Sequence, residues 1–206
     1  MSEAQVKTHE EHSDPQAAKL GMWLFIFTEL LLFGGLFIVY SVYRFRNPEA
    51  FHLAAEELNR FIGTLNTVIL LVSSMTIAMA ITAIQKGQKK LCLILMSITI
   101  ILALGFLVNK YFEWGIKIKH GLYPGSEKLK EFGQGDILFF GLYFAMTGLH
   151  ALHIIVGMTF IAIVMGYVYK DKVTPTDFSL LENSGLYWHL VDIIWIFLFP
   201  LFYLIT

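Results

Sequence analysis

Long hydrophobic segments alternate with short polar segments along the whole chain. The clearest is an apolar run of 33 residues from Ile137 to Tyr169, which contains no aspartate, glutamate, lysine or arginine. A helix that crosses a bilayer needs about 20 such residues. Four further segments have the same character. The pattern therefore predicts five membrane-spanning helices, at about residues 20–43, 61–84, 91–114, 137–169 and 185–205.

The segments between these spans are polar and short, which predicts an all-α fold: one polytopic bundle of five transmembrane helices. Residues 1–19 are expected to form a polar cytoplasmic tail, and residues 20–206 a single membrane domain. Asp14 and Pro15 favour the start of the first helix, since proline suits the first helical turn. Residues 47–60 and 120–135 are expected to be a polar connector and an aqueous loop.

The composition narrows the class of protein further. The chain is 56% hydrophobic and 15% charged, which excludes an ordinary soluble domain and a disordered chain alike. The single cysteine, Cys92, excludes an internal disulfide and any site that needs several thiolates. The formal net charge of −1 argues neither for nor against an electrostatic partner. From the five predicted spans, we expect membrane lipids and no nucleic acid as partners.

Charge gives only a weak indication of orientation, because lysine and arginine are divided almost evenly between the two sides. The compact basic turn at residues 85–90 is short, and short basic segments favour the cytoplasm. We therefore expect the amino terminus in the cytoplasm and, after five spans, the carboxyl terminus on the periplasmic side.

Five ionisable residues fall inside the predicted spans, where polar groups are costly and need partners. They are Glu29, His150, His153, His189 and Asp192. Glu29 lies eight residues after Gly21, about 12 Å along the helix and close to the middle of the hydrocarbon layer. His150 and His153 are three residues apart, as are His189 and Asp192, so each pair shares a helix face.

Three interpretations of these residues compete. Histidines on facing helices can bind heme or a metal, although only the fourth span carries two of them. Buried carboxylates can carry protons or ions, although no internal repeat or broken helix accompanies them. The chemistry favours a third interpretation, in which hydrogen bonds between helices fix the bundle and line a groove for lipid or a partner. Trp188 and Trp195, near Asp192 on the same face, and an interfacial Glu113 are candidates for that lipid or partner surface.

Several motifs resemble the heme-copper oxidase subunit III family. Residues 21–34 are similar to its glycine-to-glutamate helix, and residues 65–67 to its Leu-Asn-Thr signature. Residues 147–157 read Thr-Gly-x-His-x-x-His-x-x-x-Gly, and residues 188–195 read Trp-His-x-Val-Asp-x-x-Trp, both as in the family. The resemblance extends from about Gly21 to the end of the chain, and it matches the last five of the seven helices found in mitochondrial-type members.

The resemblance implies a non-catalytic, non-redox subunit of a proton-pumping bacterial terminal oxidase, with cytochrome c as the favoured electron donor. It implies direct contact with subunit I, which holds heme and copper, and a place beside subunit II and small subunits. This chain would bind no metal and no cofactor, apart from structural phospholipid. Glu29 matches the carbodiimide-reactive carboxylate near subunit I, and Glu182 matches an acidic family position.

The family's role is to keep proton uptake into subunit I fast and to protect the complex during turnover. The resemblance also implies the bacterial inner membrane and a cytoplasmic amino terminus. Two alternatives stay open: a subunit III-like component of a nitric oxide reductase, and a small ion or proton transporter that acts alone.

Overall fold

The computed structural model describes residues 15–205, and those residues form helices joined by turns, with no strand among them. The helices are α1 (Pro15–Arg46), α2 (Pro48–Glu56), α3 (Arg60–Gln85), α4 (Lys89–Lys119), α5 (Glu127–Glu131), α6 (Gln134–Tyr169) and α7 (Ser179–Tyr203). Five of them, α1, α3, α4, α6 and α7, are long and apolar enough to cross a membrane. The all-α, five-span prediction is therefore confirmed.

The helices extend beyond the predicted spans, because hydrophobicity marks only the part of a helix that lies in hydrocarbon. Pro15 opens α1, so residues 15–19 are helical although they were expected to belong to the polar tail. Residues 1–14, which hold the rest of the expected tail, lie outside the described part of the chain. The last predicted span begins six residues early, at Ser179, where a polar first turn precedes the apolar segment.

The prediction of a plain polar connector at residues 47–60 is wrong, since most of it is α2. Pro48 begins this helix, and Phe51, Ala54 and Ala55 are its buried residues. They repeat at a helical spacing of three and four, which is the pattern of an amphipathic helix with one apolar face. That face packs chiefly against α6. The expected aqueous loop at residues 120–135 likewise contains a short helix, α5.

The centre of the bundle is formed by α3, α4, α6 and α7, which pack in the pairs α3–α4, α6–α7, α3–α7 and α4–α6. Gly157 on α6 allows the closest approach to α7. A Cβ atom there would lie 2.8 Å from a ring carbon of Tyr187 and 3.0 Å from one of Trp188. The close spacing of the two helix axes at this point therefore depends on a residue with no side chain.

Helix α1 lies outside this centre and contacts only α2, α6 and α7. Only 6% of the residues in its most hydrophobic stretch are buried, against 56% in α7. At Gly34 and Gly35 of α1, no atom of another helix lies within 4 Å of the position that a Cβ atom would occupy. Most of α1 is therefore an apolar surface that this chain leaves uncovered.

Candidate functional site

Glu29 and His153 form a pair between α1 and α6. Glu29 Oε2 lies 2.9 Å from His153 Nε2, and the side chains are only 13% and 10% exposed. The pair is one of the polar contacts that hold α1 against the bundle; the others include the Tyr40 hydroxyl, which donates to the carbonyl oxygen of Leu201, and the Lys19–Glu182 ion pair. The sequence had placed both residues inside the membrane, but it had not indicated that they pair with each other.

The surroundings of His153 fix the way in which the pair can hold a proton. His153 Nδ1 lies 2.8 Å from the carbonyl oxygen of Leu149, which can only accept, so Nδ1 carries a hydrogen. Nε2 is then free to share one proton with the Glu29 carboxyl group. Phe33 packs its ring edge-on against the imidazole, and Tyr187 donates to the His153 carbonyl at 3.2 Å. Geometrically, the pair can hold or pass one proton at the α1–α6 boundary.

His150 points into the bundle instead of toward α1. Its ring packs between Trp195 and Phe106, at centroid distances of 5.2 and 5.6 Å. Neither ring nitrogen has a hydrogen-bond partner among the described residues, although the side chain is fully buried. The two histidines that share a motif therefore occupy different environments, and only His153 reaches Glu29.

His189 also has a partner on another helix. The hydroxyl of Ser74 on α3 lies 2.7 Å from His189 Nδ1, and Asp192 lies near the same serine. Asp192 is buried, and its Oδ1 atom has no partner among the described residues. Ser74 and His189 thus join α3 to α7, a contact that the sequence did not indicate.

Trp188 and Trp195 lie in the interior, so a lipid-facing position for these two residues was wrong. Both are buried, and each indole N–H donates to a hydroxyl on α3: Trp188 to Ser73 at 3.1 Å and Trp195 to Thr67 at 3.0 Å. A buried indole needs such a partner, because an unpaired N–H is costly away from water. The tryptophans therefore connect α7 to α3 as part of the packed core.

Glu113, which was expected at the membrane interface from its place near the end of the third span, is buried inside the bundle. It is 3% exposed and lies six residues, about 9 Å, before the end of α4. Its Oε2 atom is 3.1 Å from Lys110 Nζ, and its Oε1 atom accepts from Tyr143 at 2.9 Å and from Tyr203 at 2.5 Å. The carboxylate is thus fully enclosed by donors from α4, α6 and α7.

Lys110, Tyr143 and Tyr203 complete this cluster, and sequence reasoning did not identify them as members of a site. Lys110 is 2% exposed, and its Nζ atom lies 3.1 Å from the Tyr143 hydroxyl and 3.0 Å from that of Tyr203. It also lies 5.3 Å from the ring centroid of Trp195, within the range of a cation–π interaction. Lys110 and Glu113 are three residues apart and so share a helix face, a pattern that could have indicated this pair from the sequence. The two tyrosines could not be found in this way, because they lie on helices that are distant in sequence.

Glu182 lies at the surface near the start of α7. It forms an ion pair of 3.0 Å with Lys19 of α1, and both side chains are partly exposed. Exposed pairs of this kind contribute little to stability. In residues 15–205, no three histidine, cysteine, aspartate or glutamate side chains lie close enough to hold a metal ion.

Comparison with known proteins agrees with this architecture. A family model of cytochrome c oxidase subunit III matches residues 1–206. The chain is 29% identical over 196 residues to a cytochrome bo(3) ubiquinol oxidase subunit 3 from Pseudomonas putida, covering 94% of this chain and 88% of that one. It is 30% identical over 200 residues to a cytochrome c oxidase subunit 3 from Thermostichus vulcanus, covering 95% and 90%.

A third relative differs in its organisation. It is a heme-copper oxidase subunit I+III from Aeropyrum pernix, to which this chain is 29% identical over 192 residues; these are 89% of this chain but 22% of that protein. With the family model matching residues 1–206 of this chain, the comparisons and the five spans lead to one conclusion. This chain belongs to the cytochrome c oxidase subunit III family.

Proposed function

We propose that this chain is a non-redox subunit of a bacterial heme-copper terminal oxidase and that α1 docks on subunit I. In this proposal the complex reduces oxygen to water and pumps protons, while heme and copper lie in the partner subunits. The observation that carries it is the exposed apolar surface of α1, a helix that lies outside the bundle centre and is attached to it in part by the Glu29–His153 pair. The few contacts that α1 makes with its own bundle leave most of this surface available for a helix of a second protein.

The small residues of α1 support a helix as the covering partner. Gly34 and Gly35 leave open space on α1, and small residues let two membrane helices approach closely. They follow Glu29 by five and six residues, which is about 140° and 240° around α1, so a helix that contacted the glycines would pack on the face of α1 turned away from the Glu29–His153 pair. The fused relative from Aeropyrum pernix, named for subunits I and III together, supports subunit I as that partner.

The Glu29–His153 pair suggests how the subunit acts on proton uptake. A carboxyl group and an imidazole 2.9 Å apart can share a proton and can pass it on without a large movement. We infer that the pair supports the supply of protons to subunit I and that the docked bundle stabilises the complex during turnover. Contacts with subunit II and with small subunits, and a cytoplasmic amino terminus in the inner membrane, belong to the same proposal.

Purification of the complex tests this assignment. The chain is tagged, extracted from native membranes in mild detergent, and examined by reduced-minus-oxidised spectroscopy and oxygen uptake. Heme bands, oxygen uptake and a large co-purifying subunit are expected; assays with reduced cytochrome c and with quinol then test the expectation that cytochrome c is the donor. A colourless, solitary chain would contradict the proposal, and reduction of nitric oxide without oxygen uptake would favour the reductase alternative.

Photo-crosslinking tests the docking surface itself. A photoreactive residue at Leu31, exposed on α1, is expected to crosslink to the large heme-containing subunit. The matched control places the same residue at Ile101, which is equally exposed but lies on α4 on the other side of the bundle centre. Crosslinks to the large subunit from Ile101 and not from Leu31 would contradict docking through α1.

A further inference from the structure

A groove of about 360 Å³ runs between α3 and α4 beside the turn that joins them. Its lining includes the apolar or small side chains of Met75, Ala78, Met79, Ala83, Leu91 and Leu95. Thr82, Lys86 and Gln88 supply polar groups close to the turn. The groove is therefore amphipathic along its length, with an apolar body and a polar mouth.

The length of the groove fits one leaflet of a bilayer. Met75 lies eleven residues before Lys86 on the same helix, a rise of about 16 Å. One leaflet contributes roughly 15 Å of hydrocarbon. Met75 and Met79 are flexible and exposed, so they can adapt to the irregular shape of an acyl chain. The polar mouth then falls at the level of the lipid headgroups.

The mouth of the groove is strongly basic. The turn contains Lys86, Lys89 and Lys90, and the segment from Gln85 to Leu95 has no acidic residue. Lys89 is engaged by Asp171 at 2.7 Å and by the carbonyl of Tyr169 at 2.8 Å. Lys86 and Lys90 are exposed, and neither forms an ion pair within residues 15–205. Two cations are thus free to bind an anion at headgroup level.

We infer that this groove binds one anionic phospholipid, with an acyl chain along α3 and α4 and the phosphate at Lys86, where Lys90 adds positive charge. Lysines beside a membrane helix attract anionic headgroups more than neutral ones. The site lies away from α1, which makes no contact with α3 or α4. The lipid proposal requires only that the five spans are inserted in a membrane. It can therefore fail while the oxidase assignment holds.

Native mass spectrometry tests the site. The tagged chain, with whatever subunits accompany it, is placed in nanodiscs of 80% phosphatidylcholine and 20% phosphatidylglycerol, and lipid adducts on this chain are counted after extraction. One phosphatidylglycerol per chain is expected in preference to phosphatidylcholine. The double variant Lys86→Gln/Lys90→Gln is expected to lower that preference about tenfold or more, because each lysine contributes attraction.

Two further variants separate the groove from general charge. Lys170→Gln/Lys172→Gln removes two exposed lysines from the other turn at the same end of the bundle and is expected to leave the adduct unchanged. Ala78→Trp keeps every lysine but fills the exposed apolar groove, and it is expected to abolish the retained lipid.

The inference would be overturned if the unchanged chain retained phosphatidylglycerol and phosphatidylcholine equally, or if both lysine double variants lost the lipid adduct to the same extent. It would also be overturned if Ala78→Trp retained as much lipid as the unchanged chain. A groove that binds phosphatidylglycerol in the isolated chain but not in the intact complex would also overturn it, since a partner subunit would then be the occupant.

Discussion

Glu29 and His153 face each other across the α1–α6 boundary, with 2.9 Å between the carboxyl oxygen and the imidazole nitrogen. Neither residue has another side-chain partner of this kind in the described part of the chain, so each satisfies the other. The pair gives a peripheral helix a specific polar contact with the bundle. It lies on the bundle side of α1, so the outer face of α1 stays open for a partner.

Glu29→Gln is expected to abolish labelling of this chain by a hydrophobic carbodiimide and to leave its assembly intact. A glutamine amide can still hydrogen-bond to His153 but offers no carboxyl group to the reagent. The modified peptide is measured by mass spectrometry. Glu182→Gln serves as the control and should keep the label, because that carboxylate lies at the surface beside Lys19. A label that persists in Glu29→Gln would show that another residue reacts.

Lys110→Met is expected to destabilise the chain strongly, because Glu113 would stay buried without its cation. Removal of one partner of a buried pair typically costs about 3–5 kcal/mol. The double variant Lys110→Met/Glu113→Gln removes both charges and should recover much of that loss. Thermal unfolding in detergent measures all three proteins. If the double variant were no more stable than Lys110→Met, charge compensation would not be the role of this pair.

A matched surface variant checks the same argument. Lys19→Met breaks the partly exposed pair with Glu182 and should change the free energy of unfolding by less than about 1 kcal/mol. If Lys19→Met lowered the free energy of unfolding as much as Lys110→Met does, burial would not determine how strongly the loss of an ion pair destabilises the chain.

Gly157→Val is expected to push α6 away from α7 and to destabilise the bundle by about 1–3 kcal/mol. The new Cβ would lie 2.8 Å from the ring of Tyr187, too close for an unstrained contact. Gly166→Ala is the control on the same helix, since nothing lies within 4 Å of a Cβ there, and it should be neutral or slightly stabilising. Unfolding temperatures in detergent compare the two, and equal values would contradict close packing at Gly157.

Asp192→Ala is expected to impair assembly more than Asp192→Asn does. Asparagine keeps a polar side chain of the same size near Ser74, whereas alanine removes that side chain and leaves a gap at a buried position. The yield of the membrane-inserted complex in mild detergent measures the difference. Wild-type yields from both variants would remove the structural role assigned to this carboxylate.

The sequence alone predicted the number of spans, their order and the class of fold. Transmembrane helices can be predicted from sequence because the bilayer imposes a length and an apolar character on each helix separately. It also supplied the motifs of the family and the five intramembrane ionisable residues. It was least accurate at residues 47–60, where α2 follows an amphipathic spacing in a segment that is polar on average.

Only the tertiary structure decided which of these residues meet. His150 and His153 share a motif, but a rotation of less than a quarter turn around α6 directs one toward Trp195 and the other toward Glu29. Glu113 appeared interfacial by its position along the chain, yet Tyr143 and Tyr203 from two distant helices enclose it. Depth in the membrane follows from local hydrophobicity, whereas side-chain pairing depends on which helix faces pack together, and that is a property of the whole bundle.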